Sequence, residues 1–134
     1  MFRPGKVKEI AIFQIHCEPN TLYVISELFV GNRYALESLQ NGRFSARSDV
    51  WSFGVAVWEM FTGGSEPHLP GCEDRDQSGL VAALERGIRL HPPEGCPQSV
   101  YSRLMYPCWI VPSSGRPTFT ELCHAIRELN DCLF

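Results

Sequence analysis

Six cysteines (Cys17, Cys72, Cys96, Cys108, Cys123, Cys132) and four histidines (His16, His68, His91, His124) are the side chains of this sequence best suited to metal or redox chemistry. Their spacing matches no zinc-ligand pattern and contains no Cys-x-x-Cys pair, so no metal is expected. Without a secretion signal the cysteines read as reduced thiols, several of them buried. Hydrolytic chemistry has no anchor either, because there is no Gly-x-Ser-x-Gly elbow and no His-Glu-x-x-His. Phosphoryl transfer needs a loop over the phosphates, a lysine on them, metal ligands and an aspartate beside the attacking hydroxyl. Gly-x-Gly-x-x-Gly, Val-Ala-x-Lys, His-Arg-Asp with a downstream Asn, and Asp-Phe-Gly are all missing. Lys6 and Lys8 are the only lysines, and the Arg-Asp pair within Asp74-Arg75-Asp76 falls in a loop. No cofactor is therefore expected.

The elements that would have to position any site are clearer. Val50, Trp51, Phe53, Val55, Ala56, Val57, Trp58, Met60 and Phe61 cover every direction of a helical wheel, which predicts a central helix wrapped by others. Ser48 is the expected N-cap and Gly63 the left-handed residue that closes the last turn. Upstream, Ile10 to His16 and Thr21 to Leu28 are rich in β-branched and aromatic residues, with Cys17-Glu18-Pro19-Asn20 between them, and predict a β-hairpin. Downstream, Gln77 to Arg86 predicts a short helix with Leu80, Val81 and Leu84 inward and Gly87 as its stop. Pro97 opens another helix with Val100, Leu104 and Cys108 on one face, and Trp109 follows in its last turn. Thr118 and Glu121 form a capping box before a final helix striped by Phe119, Leu122, Ile126, Leu129 and Leu133.

A length of 134 residues suits one domain, and 44% hydrophobic with 20% charged residues is an ordinary globular balance. The formal net charge of −3 offers no general attraction to nucleic acid or anionic lipid. No apolar run approaches the ~18 residues of a membrane helix. Met1 to Glu9 lacks the apolar segment of a signal peptide. No membrane insertion and a cytoplasmic location are the expectations.

Asp49-Val50-Trp51-Ser52-Phe53-Gly54-Val55 followed by Trp58-Glu59 resembles the central helix of the C-terminal lobe of protein tyrosine kinases. Gly87-Ile88-Arg89-Leu90, Pro93, Cys96-Pro97, Tyr101, Leu104-Met105, Cys108-Trp109 and Arg116-Pro117-Thr118-Phe119 continue the resemblance in order and spacing, from about Ala35 to Leu133. Ala35-Leu36-Glu37-Ser38-Leu39 is similar to the receptor-type members. Leu22 to Leu28 followed by Gly31-Asn32 resembles the last strand and hinge of the N-terminal lobe, which would put a vestigial adenine-binding backbone at Glu27 and Phe29. The implied fold is mainly α: a helical C-terminal lobe over residues 35–134, with a short β-hairpin remnant of the N-terminal lobe and hinge over residues 1–34.

In an intact member the hinge and the Ala-Pro-Glu type motif are separated by two helices, the catalytic loop, the metal-binding loop and the activation segment. Here Gly31-Asn32 and Ala35-Leu36-Glu37 are nearly adjacent. The resemblance thus implies an internally deleted, catalytically inactive tyrosine-kinase-like chain that works as a partner-binding or regulatory fragment. The alternative is part of an active ATP-dependent protein tyrosine kinase whose catalytic segment is missing from this gene model or isoform. By resemblance, Glu37 and Arg116 form a buried ion pair, Asp49 is the residue that would brace the absent catalytic loop, and Trp51, Gly54 and Trp109 are structural. The deletion is expected to leave part of the central helix open as an apolar surface, with an intact kinase or a chaperone as its partner.

Overall fold

A computed structural model describes residues 33–71 and 77–133. Over these residues the chain is helical, with no strand. The expected hairpin, Glu27 and Phe29 lie outside the described residues, as do Cys17, Cys72 and Asp74 to Asp76.

Helix α1, Leu36–Asn41, ends on Gly42 in the left-handed conformation at φ 65°. Helix α2, Ala46–Phe61, is the central one. Its N-cap is Ser45 and not Ser48. Ser45 is extended at φ −154°, and its hydroxyl accepts the Ser48 N–H while the Ser48 hydroxyl accepts the Ser45 N–H. Ser48 thus plays the third-residue part of a capping box usually given to Glu or Gln, so the helix starts a turn earlier than the sequence suggests. At the other end Gly63 is left-handed at φ 77°. The Gly63 and Gly64 N–H groups bond the Met60 and Glu59 carbonyls, a paired closure that leaves few end carbonyls unsatisfied.

The apolar wheel of α2 is largely covered. Val50, Trp51, Phe53, Val55, Val57 and Phe61 are all buried, and Trp58 and Met60 are partly so. The expectation of a wide open apolar face on this helix is therefore corrected: the large apolar side chains exposed among the described residues are Phe44, Tyr106, Val111 and Leu133, none of them on α2.

Helix α3, Gln77–Glu85, stops at Gly87 (φ 86°), with the Gly87 and Ile88 N–H groups on the Leu84 and Ala83 carbonyls. Leu84 is buried, while Leu80 and Val81 are partly covered. The single helix expected after Pro97 is broken into three gauges: α4, Gln98–Val100, a π-helical turn over Tyr101–Met105, and a 3₁₀ turn over Tyr106–Trp109. Pro107 is the physical reason. It has no N–H to donate, and its ring would collide with the carbonyl four residues back in a regular helix. Widening the turn, so that the Tyr106 N–H reaches the Tyr101 carbonyl, avoids both faults. Val100, Leu104 and Cys108 are nonetheless all buried.

The last helix, α5, Phe119–Leu133, begins with the Thr118 hydroxyl accepting the Glu121 N–H at 3.1 Å. Leu122, Ile126 and Leu129 are buried and Leu133 is exposed. The Phe119 ring meets Phe53 edge-on at 5.9 Å and joins this helix to α2.

Candidate functional site

The best-defined polar constellation surrounds Arg116, whose side chain has 0% exposure. It is carried by the turn between a 3₁₀ segment, Ser113–Gly115, and α5. Arg116 Nη1 and Nη2 donate to the two Glu37 carboxylate oxygens, each at 2.7 Å. Nε donates to the Ile110 carbonyl at 2.9 Å, and Nη1 also donates to the Arg47 carbonyl at 3.0 Å. Arg47 returns a guanidinium N–H to the Arg116 carbonyl. A planar guanidinium suits this use because it grips a carboxylate with two parallel bonds. Burial alone would raise the Glu37 carboxyl, but the bonds and charge of Arg116 outweigh that and hold it below its ordinary value.

Trp51 sits against this pair. The Arg116 guanidinium carbon is 4.9 Å from the Trp51 ring centroid, and that of Arg89 is 5.1 Å away. An indole face attracts cations, so one ring of α2 receives two guanidinium groups from different parts of the chain. Arg89 spends its donors on carbonyls: Nε on Trp109, Nη1 on Leu84 and Ile88, all at 2.9 Å.

Gly54 and Trp109 meet where α2 crosses the 101–109 segment. A methyl group on Gly54 would lie 2.6 Å from Cys108 Cβ and 2.9 Å from Trp109 Nε1, so only glycine permits this approach. The buried Trp109 indole N–H has no hydrogen-bond partner among the described residues. Asp49, in the first turn of α2, is partly buried, and burial raises its carboxyl above the ordinary value. Neither an ion pair nor a side-chain hydrogen bond engages it among the described residues.

Sequence reasoning missed a second ion pair. Arg33 grips Glu59 with Nε to Oε1 at 2.5 Å and Nη2 to Oε2 at 2.9 Å. The Ser52 hydroxyl donates to the Arg33 carbonyl at 2.8 Å. The available signal was Glu59 itself, the lone charge between Val50 and Phe61 in an otherwise apolar and neutral run. A charge placed there has to be met by a partner.

None of the four cysteines described is disulfide-bonded, and only Cys108 is buried. Burial pushes its thiol up to about 12, against the opposing charge of Arg116, which leaves it un-ionised and unreactive. Cys96 and Cys123 are only partly covered and Cys132 is exposed, so the expectation of several buried thiols reduces to one among the described residues. There, too, no three His, Cys, Asp or Glu side chains gather as a metal site, and no helix is long and apolar enough to cross a membrane.

A helical lobe with a central buried helix, tied by a carboxylate–guanidinium pair between its first helix and the turn before its last, defines the C-terminal lobe of a protein kinase. Residues 24–126 match the family of protein tyrosine and serine/threonine kinases, and the chain belongs to that family. It is 46% identical over 96 residues to megakaryocyte-associated tyrosine-protein kinase of Mus musculus, covering 71% of this chain and 18% of that protein. Tyrosine-protein kinase TXK of Homo sapiens is 44% identical over 87 residues, 65% of this chain and 16% of the relative. Inactive tyrosine-protein kinase 7 of Homo sapiens is 44% identical over 93 residues, 69% of this chain and 8% of the relative. The chain thus spans less than a fifth of the length of these relatives.

Proposed function

We propose that this chain is a catalytically inactive tyrosine-kinase fragment, cytoplasmic, that acts by binding partners through its lobe surface, with an intact kinase or a chaperone as the partner. The carrying observation is the direct succession of the hinge-like Leu22 to Asn32 and the Ala35-Leu36-Glu37 motif, with no room between them for a catalytic or metal-binding loop. The family match begins at Val24, so residues on both sides of that join belong to the matched range, which supports an internal deletion. Asp49 supports it as well. This carboxylate, assigned by resemblance to brace the catalytic loop, is partly buried without a side-chain partner among the described residues.

In this reading Glu37, Arg116, Trp51, Gly54 and Trp109 hold the lobe together and none performs chemistry. Catalysis of phosphoryl transfer is almost entirely positioning and charge neutralisation, and a hinge backbone at Glu27 and Phe29 cannot replace those groups. The purified chain should therefore show no thermal stabilisation by magnesium ATP and no incorporation of labelled phosphate into a tyrosine copolymer. Incorporation that survives removal of contaminating kinases overturns the reading.

The second reading, part of an active ATP-dependent tyrosine kinase, is favoured by the 46% identity to a tyrosine-protein kinase. Sequencing transcripts across the codons for Asn32 to Ala35 separates the two. A continuous read supports the fragment, and an intervening catalytic-loop exon supports the intact enzyme.

A further inference from the structure

A groove of about 570 Å³ lies between α1, the end of α3 and the segment Tyr106 to Val111. That volume falls within the ~300–1,000 Å³ of ordinary ligand sites. Leu36, Leu84, Ile110 and Val111 supply apolar wall, and Tyr106 and Val111 are half exposed, at 50% and 51%. Arg89 also lines it. Its guanidinium differs from that of Arg116 in one respect that matters. Arg116 is neutralised by Glu37, whereas the three bonds of Arg89 go to carbonyls and leave a full positive charge, with Nη2 carrying none of them. No carboxylate pairs with Arg89 among the described residues. Burial pushes its pKa below the ordinary arginine value, the mark of a cation short of compensation. The one acidic side chain of the groove, Glu85, is exposed and accepts the Gln40 amide at 2.7 Å, so solvent screens it far more than the partly buried Arg89.

We propose that this groove docks a peptide segment of a partner protein that presents one carboxylate beside a large apolar side chain, with the carboxylate on Arg89 and the apolar group between Tyr106 and Val111. A single half-spent guanidinium with an acid nearby suits a monoanion. A phosphate dianion calls for several converging cations, and only one faces this groove. The inference rests on lobe geometry and not on the loss of catalysis, so a kinase-active result would leave it standing.

The test titrates the full chain, labelled with ¹⁵N, with N-acetyl-Phe-Asp-Leu-amide and its neutral counterpart N-acetyl-Phe-Asn-Leu-amide. The Asp peptide should shift the Gly87 and Val111 amides and the Trp109 indole saturably, and the Asn peptide should bind about tenfold more weakly. Because Val111 and Tyr106 are exposed, Val111→Asp and Tyr106→Ala keep the fold, and each should weaken the Asp peptide about fivefold or more. Equal affinity for the two peptides, undiminished binding to Val111→Asp, or no saturable shift up to about 10 mM overturns the proposal. The same shifts produced by inorganic phosphate at lower concentration overturn the carboxylate assignment.

Discussion

Arg47 and Arg116, two like charges, exchange hydrogen bonds, each donating a guanidinium N–H to the other's main-chain carbonyl. The repulsion is tolerable because Glu37 takes both terminal nitrogens of Arg116. The two arginines are therefore expected to differ sharply when truncated. Arg116→Ala strands the Glu37 carboxylate and should lower stability by ~3–5 kcal/mol. Arg47→Ala removes one hydrogen bond to the Arg116 carbonyl and leaves the Arg116–Glu37 pair intact, and about 1 kcal/mol is expected. Urea denaturation of the two variants compares them directly; similar losses would mean that Glu37 is not the main partner.

Gly54→Ala sets two effects against each other. Alanine is the better helix former by ~1 kcal/mol, but its methyl would sit 2.6 Å from Cys108 Cβ and 2.9 Å from Trp109 Nε1. Overpacking of this kind costs ~1–3 kcal/mol, and the nearest contact, Cys108 Cβ, is fixed to the backbone while the Met105 carbonyl lies only 3.2 Å away, so destabilisation should win. Adding Cys108→Ala keeps the offending Cβ and should give no rescue. A melting temperature at or above that of the parent would show that the crossing opens cheaply.

Acid titration should expose two carboxylates of opposite sign. The Glu37 pKa lies below its ordinary 4.5, so its stabilisation is complete above that value and disappears as pH falls through the folded-state pKa. The Asp49 pKa lies above its ordinary 3.8, so its contribution is greatest below that value and is lost as pH rises through the folded-state pKa. Asp49→Asn should therefore melt slightly higher than the parent near neutrality, the gain kept small by solvent screening of this partly exposed carboxylate and by its favourable charge at the helix N-terminus, and the advantage should vanish below pH 3.8. Glu37→Gln should flatten the acid limb instead. A neutral-pH loss in Asp49→Asn would point to an attractive partner for that carboxylate.

Arg33→Ala should cost about 1.5–3 kcal/mol, because both members of its pair with Glu59 are more than four-fifths shielded and the bonds are charge-assisted. Glu59→Gln, which keeps the shape and one acceptor, should cost less. If chemical denaturation ranks them the other way, the carboxylate is held by something besides Arg33.

How far the sequence could be read depended on the type of signal. Burial of Phe53, Val57, Leu104, Leu122 and Ile126 was legible because amphipathic spacing and an all-apolar helix both demand cover. The closures at Gly63 and Gly87 were legible because left-handed backbone selects glycine. Boundaries were less so: Ser45 and Ser48 are chemically equivalent caps, and only backbone geometry decides which one starts the helix. The π-turn needed the effect of Pro107 on the preceding turn to be followed through. Contacts between distant segments divide the same way. Glu37 meets Arg116 across 79 residues, a pairing visible only through resemblance, and Arg33 with Glu59 had no motif to announce it.

The orphan indole N–H of Trp109 makes the three tryptophans spectroscopically distinct. Trp58 donates to the His91 carbonyl at 2.7 Å, Trp51 lies beneath two guanidinium groups, and Trp109, packed against Gly54, has no acceptor among the described residues. An indole with no acceptor should emit at the blue end of the tryptophan range, and its proton should exchange with deuterium only when the helix crossing parts. That single resonance then times the separation of the two halves of the core, without any label being introduced.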